Sequence, residues 1–106
     1  VSYDISIMKQ EPMLDELTAF YKLLANSSRL AILLALQGGE DNVAGICGTT
    51  GLSQTLVSHQ LAVLHAADVV RARREGRRTY YALADRHIET IIGYALEHLR
   101  EKEGTS

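Results

Sequence analysis

A mainly α fold with a small β-hairpin is predicted by three features of this 106-residue chain. Two helical stretches flank a turn at Thr49-Thr50-Gly51, an arginine-rich hairpin follows, and a long last helix closes the sequence. Together they are the elements of a winged helix-turn-helix.

The elements follow in order. Residues 1–10 show weak patterning and read as a flexible arm or the start of a first helix. Pro12 suits a helix start, because its missing N–H is one the first turn leaves unbonded anyway. Leu14, Leu17, Phe20, Tyr21 and Leu24 then recur at helical spacing. Asn26 or Ser27 caps a second helix carrying Leu30, Ile32, Leu33 and Leu36, which Gly38-Gly39 ends. A short third helix is expected from Val43 to Cys47. Ser53 is the expected N-cap of a fourth helix, with Leu56, Val57, Leu61 and Leu64 facing inward. Val69–Arg74 and Arg77–Leu83 read as strands around Glu75-Gly76, a tight hairpin signal. The last helix is expected from about Asp85 to Lys102, with 104–106 frayed.

The length predicts one small domain over 1–106, with 85–103 as its C-terminal helix, and a modest core that dimerisation would supplement. No apolar run approaches a membrane span and no signal peptide is visible, so the expected compartment is the cytoplasm. A single cysteine, Cys47, excludes an intrachain disulfide and a cysteine-rich metal site. Its expected role is that of a small buried apolar residue. Net charge is −2, yet five of the eleven Lys and Arg residues fall at Arg71, Arg73, Arg74, Arg77 and Arg78. Such a local basic patch on a mildly acidic chain points to a polyanion at one place.

Near the start of the fourth helix, Gln54, Thr55, Ser58 and His59 form a polar exposed face. A helix fits the major groove of double-stranded DNA, and these side chains can reach base edges and phosphates. Arg73, Arg77 and Arg78 on the wing would meet backbone phosphate or enter the minor groove. A merely solvated helix face would carry similar residues, but the arginine hairpin beside it favours DNA. His65 is expected to face solvent late in the same helix.

The last helix carries four potential metal ligands in two pairs, Asp85 with His87 and His98 with Glu101. Residues three apart share a helix face, and Asp85 is expected to cap the helix and turn toward His87. The two histidines lie eleven residues apart, roughly 16 Å along the axis, and point the same way. The pairs therefore cannot meet within one chain. An antiparallel second copy would bring Asp85 and His87 opposite the other copy's His98 and Glu101, with the crossing near Gly93. The geometry predicts a homodimer with two symmetric intersubunit sites.

Three segments resemble ArsR/SmtB-family repressors. These are Leu23-Leu24-Ala25-Asn26-Ser27-Ser28-Arg29-Leu30 with Ile32-Leu33, Leu52-Ser53-Gln54-Thr55-Leu56-Val57-Ser58-His59-Gln60-Leu61, and Gly76-Arg77-Arg78-Thr79-Tyr80-Tyr81-Ala82-Leu83. The resemblance covers about residues 14–102. It implies a dimeric winged-helix repressor that leaves its operator when an inducer binds, with DNA contacts at Gln54, Thr55, Ser58 and His59. Asp85, His87, His98 and Glu101 match the pattern of that family's zinc-type sensors. Two imidazoles and two carboxylates suit tetrahedral Zn2+. The resemblance further implies that metal-bound His98 donates a hydrogen bond to backbone near Ala67 and Asp68 and so couples the site to the fourth helix. The sequence departs from the family's thiolate sites, since Cys47 has no second cysteine beside it, which disfavours arsenic, cadmium and lead.

The expected function is a zinc-responsive repressor whose metal-free dimer binds an inverted-repeat operator. Ni2+ or Co2+ sensing is the nearest alternative, followed by a winged-helix module without an inducer. A zinc hydrolase using His87 and His98 is disfavoured, because no nucleophile–base set or Gly-rich phosphate loop accompanies them.

Overall fold

The computed structural model describes residues 5–6 and 12–104. The expectations for most of residues 1–10 and for 105–106 therefore lie outside the described residues. Within them the chain runs α1 (Met13–Leu24), α2 (Ser27–Leu36), β1 (Asp41–Asn42), α3 (Val43–Thr50), α4 (Gln54–Ala66), β2 (Val70–Glu75), β3 (Arg78–Leu83) and α5 (Arg86–Gly104).

Helices α2 to α5 each begin where a capping side chain supplies what the first turn lacks, whereas α1 begins after Pro12 without one. Pro12 precedes α1, and its carbonyl accepts from the Glu16 amide at 3.0 Å. Asn26, rather than Ser27, caps α2, its Oδ1 accepting from the Arg29 amide at 3.0 Å. Asn42 does the same for α3 through the Gly45 amide, and Ser53 for α4 through the Leu56 amide at 3.2 Å. Asp85 caps α5, with Oδ1 accepting from the Ile88 amide at 3.1 Å.

Several boundaries differ from the sequence expectation. Helix α3 continues past Cys47 to Thr50. The Thr50 hydroxyl donates back to the Ile46 carbonyl at 2.7 Å, which lets a β-branched residue close the last turn. Gly51 then ends the helix in the left-handed region at φ 76°. Strand β2 extends to Glu75, which pairs with Arg78, so Gly76 and Arg77 make a two-residue turn with Gly76 at φ 62°. Gly104, expected to fray, still belongs to α5.

Strand β1 was not anticipated. Two residues are too few to show a period of two, yet Asp41 pairs with Tyr81 and Asn42 with Tyr80. The sheet order is β1-β3-β2, all antiparallel. The wing is thus anchored to the segment that leads into α3, not only to its own hairpin partner.

The core sits where α2, α3 and α4 meet the base of the wing. Ile32, Leu33, Ile46, Val57, Leu61 and Leu64 are fully enclosed, Val69 and Val70 nearly so, and Ile88 and Ile92 attach α5 to it. Cys47 is half-buried against this cluster, a partial correction of the fully buried expectation. Among the described residues Gln60 is the one polar side chain in the buried set. Its Oε1 accepts from Arg29 Nη1 at 3.0 Å, and Arg29 Nε donates to the Leu23 carbonyl at 2.7 Å. One guanidinium therefore joins the end of α1, the first turn of α2 and the inner face of α4. At the far end of α4, Asp68 takes φ 60° while the Val69 amide reaches the Leu64 carbonyl at 2.9 Å, a closed helix end leading straight into β2.

Gln60→Met keeps the volume but leaves the half-buried Arg29 Nη1 without its acceptor. Urea denaturation should show a loss of about 1 kcal/mol, the scale of one lost hydrogen bond whose donor water can still partly reach.

Candidate nucleic-acid interface and ligand-bearing helix

Helix α4 presents Gln54, Thr55, Ser58 and His59 to solvent, all on the side opposite buried Val57, Gln60, Leu61 and Leu64. That division follows from the helical period alone. His65 is also exposed, as expected. Beside the start of α4, a cleft of about 390 Å³ is lined by Gln54 together with Asn42, Ala44, Arg77, Arg78 and Thr79. The fold brings the first polar residue of α4 and the two turn-proximal arginines to one cleft.

The five wing arginines are not equivalent. Arg71 donates to the Ala84 carbonyl, and Arg74 to the Gly76 carbonyl. Arg73 is the most heavily engaged. Its Nε and Nη2 reach the two carboxylate oxygens of Glu40 at 3.1 and 2.6 Å, and its Nη1 reaches Glu75 at 2.8 Å. The guanidinium carbon also lies 5.0 Å from the Tyr80 ring centroid, stacking cation on ring. The Arg77 and Arg78 side chains make no hydrogen bond or ion pair among the described residues. Sequence spacing grouped Arg73, Arg77 and Arg78 as equal phosphate contacts, whereas the structure separates the first from the other two. The distinguishing signal is Glu40, which sequence reasoning passed over because it lies 33 residues away.

Helix α5 carries the proposed ligands as two separate pairs. His87 Nδ1 lies 3.6 Å from Asp85 Oδ1, with both side chains largely exposed. His98 and Glu101 are exposed one turn apart further along α5. Among the described residues no three His, Cys, Asp or Glu side chains of one chain gather around a point. Asp85 and His87 are already juxtaposed as half a site, but Asp85 Oδ1 is shared with the helix cap. The His98 side chain makes no hydrogen bond among the described residues.

A pattern missed in the sequence joins these pairs. His87, Ile91, Tyr94, His98 and Glu101 are spaced four, three, four and three, the spacing of a coiled-coil seam. Ile91 and Tyr94, 36% and 68% exposed, put an apolar centre between polar ends. Gly93, midway between the two pairs along the axis, lies about 120° round the helix from this seam at about 100° per residue. Next to the seam, an apolar groove of about 380 Å³ opens between α1, α2 and α5, lined by residues including Tyr21, Leu30, Leu34, Ile91, Leu96 and Leu99. With Leu17, Tyr21, Leu34 and Leu99 each more than 40% exposed, this side of the chain is an apolar surface larger than isolated hydrophobic residues produce. Among the described residues, no single helix is long and apolar enough to cross a membrane.

An exposed polar face on α4, beside a wing with two arginines whose side chains are unpaired among the described residues, is the architecture of a winged helix-turn-helix DNA-binding domain. The sequence pattern described as "Bacterial regulatory protein, arsR family" matches residues 26–72, from the α2 cap into β2. The transcriptional repressor SmtB homolog of Synechocystis is 35% identical over 88 residues, covering 83% of this chain and 67% of that protein. The cadmium resistance transcriptional regulatory protein CadC homolog of Staphylococcus aureus is 31% identical, covering 90% and 78%. A solution structure from Mycobacterium bovis, the homodimeric winged helix-turn-helix DNA-binding domain Mb0332, superposes with a TM-score of 0.81 at 31% identity, covering 99% and 94%. This chain belongs to the arsR family of bacterial regulatory proteins. It spans between 43% and 67% of the first five curated relatives it matches.

The Arg73 guanidinium holds the Glu40 carboxyl below its ordinary value of 4.5, chiefly by direct hydrogen bonding. The ion pair should therefore persist above pH 4.5 and be lost as pH falls through that lowered value. Carboxyl-resolved NMR titration should place the Glu40 midpoint below 4.5, and Arg73→Ala should return it to the ordinary range.

Proposed function

We propose that this chain acts as a single winged-helix domain that dimerises through α1 and α5, represses transcription by binding double-stranded operator DNA without metal, and is released by zinc. The observation that carries the reading is the seam on α5, in which ligand pairs flank an exposed apolar centre. An antiparallel second copy laid on that seam covers Ile91 and Tyr94. It also sets Asp85 and His87 against His98 and Glu101 of the other copy, twice by symmetry. The donor set of two imidazoles and two carboxylates fits Zn2+, which would supply a four-coordinate link between subunits. The relatives named for SmtB and for cadmium resistance support a metal as the inducer. A regulator of this kind works in the cytoplasm, where its DNA is.

On the DNA side, Gln54, Thr55, Ser58 and His59 would face the major groove, while Arg77 and Arg78 meet phosphates flanking it. Release requires that metal bind the DNA-free dimer shape more tightly than the DNA-bound one. His98 is the ligand suited to transmit that preference. Its second ring nitrogen can donate to backbone at the closed end of α4, which the carboxylates of Asp85 and Glu101 cannot do.

On random-sequence duplex DNA, Arg77→Ala or Arg78→Ala should each lower the salt slope of binding by about one, the value of one released counterion per phosphate contact. Gln54→Ala should leave that slope unchanged and blur discrimination among duplexes selected from a random pool.

The zinc reading is tested by sedimentation and by operator titration over a panel of divalent metals. A metal-free dimer should release a selected duplex when zinc saturates it. At confirmed full occupancy Glu101→Gln should still release DNA, and His98→Asn should not. A monomer at micromolar concentration with and without zinc, or full release by saturated His98→Asn, would refute the intersubunit site or the coupling route respectively.

A further inference from the structure

We propose that Arg73 is not a DNA contact but the strut that sets the wing, with Glu40 as its seat. The inference rests on the reading that Arg77 and Arg78 meet DNA, and adds a residue pair that positions them.

The geometry spans the whole sheet. Arg73 on β2 pairs across the ladder with Tyr80 on β3, and Tyr80 pairs in turn with Asn42 on β1. Arg73 passes over the Tyr80 ring and closes on Glu40, two residues before Asn42. The contact is two-pronged, Nε and Nη2 each taking one Glu40 oxygen, which fixes an angle as well as a distance. The remaining nitrogen is taken by Glu75, the last residue before the turn that carries Arg77. Three of the five N–H donors of the guanidinium are thus committed to two carboxylates, whose charges offset its own and weaken its pull on a phosphate. Arg73 is also absent from the cleft shared by Gln54, Arg77 and Arg78.

Glu40 lies in the segment that joins α2 to α3, so it belongs to the helical body that holds α4. A two-stranded hairpin is free to swing about its base, and β1 pairs with only two residues of β3. The Arg73–Glu40 fork adds a second attachment at the same level, on β2, the strand that β1 does not pair with. Its function is to keep the turn arginines at a fixed reach from the exposed face of α4. An exposed ion pair contributes little to global stability, so the effect belongs in DNA binding and not in unfolding.

The sign of one substitution decides the matter. Glu40→Gln removes a negative charge near the DNA-facing wing and frees Arg73. If Arg73 were a phosphate ligand restrained by Glu40, binding to a labelled random-sequence duplex would tighten. As a strut, Glu40→Gln should weaken binding by about three- to five-fold, the scale of an exposed ion pair. Arg73→Lys, which keeps the charge but loses the fork, should weaken it as much as Arg73→Ala. The double variant Glu40→Gln/Arg73→Ala should be no weaker than either single one, and Arg73→Ala should leave the salt slope near wild type. Thermal unfolding of each variant should stay close to that of the parent. Tighter or unchanged binding by Glu40→Gln, additive losses in the double variant, or a slope drop of about one for Arg73→Ala would overturn the strut. Arg77→Ala and Arg78→Ala, measured alongside, separate the two readings. If neither lowers the slope, the wing contact itself fails. If both do while Glu40→Gln tightens binding, only the strut fails.

Discussion

Arg29 is the joint on which this small structure turns. Its guanidinium reaches the carbonyl that ends α1 and the only buried polar side chain among the described residues, Gln60 on α4. A charged donor here is tolerable because its bonds are short and its partners fixed, so little of its polarity goes unmet. The bond has a directional consequence that apolar packing lacks. Val57, Leu61 and Leu64 would allow α4 to slide or roll slightly against α2, whereas the Gln60 amide must present its oxygen to one nitrogen. The polar face of α4 is held in one rotational setting by a residue that sits on its opposite side.

The exposed polar face of α4 and the exposed apolar side of α1 and α5 are thereby physically connected. Helix α1 contributes Leu17 and Tyr21 to the exposed apolar side, and the same helix ends at Leu23-Leu24, where Arg29 takes hold. Helix α5 reaches the core through Ile88 and Ile92 and presents Ile91 and Tyr94 outward. A displacement of α1 or α5 therefore has two routes to α4, one through the Arg29 bonds and one through the core. The closed end of α4 at Asp68 offers a third contact point, and it leads without a linker into the wing.

Much of the fold could be read from the chain because its signals are local. Asn26, Ser53 and Asp85 announce their helices by a capping side chain within three residues of the amide they serve. Gly76 announces the hairpin by a conformation that other residues avoid. The missed features depend on distant partners or on competing local rules. Strand β1 exists only because Tyr80 and Tyr81 lie beside it. The last turn of α3 looked like a loop because Thr49, Thr50 and Gly51 together favour one, and the Thr50 hydroxyl bond to Ile46 overrode that tendency. On the candidate sites, the exposed face of α4 and the pairing of Asp85 with His87 follow from periodicity and capping. The inequality of the wing arginines does not, since nothing near Arg73 in sequence foretells Glu40. The seam of His87, Ile91, Tyr94, His98 and Glu101 was legible all along, but attention to ligand types hid the apolar residues between them.

The placement of the ligand pairs also bears on how such a chain can change over time. Asp85, His87, His98 and Glu101 all lie outside the core, and each side chain is exposed. Only Asp85 has a second duty, as the cap of α5. Replacing the other three leaves every enclosed contact of the fold intact. The chemistry displayed on α5 can therefore be rewritten at little structural cost, while the setting of α4, seated through Gln60 and its apolar neighbours, cannot. A lineage built on this scaffold can vary the outer side chains of α5 by a few surface substitutions and keep the same architecture beneath them.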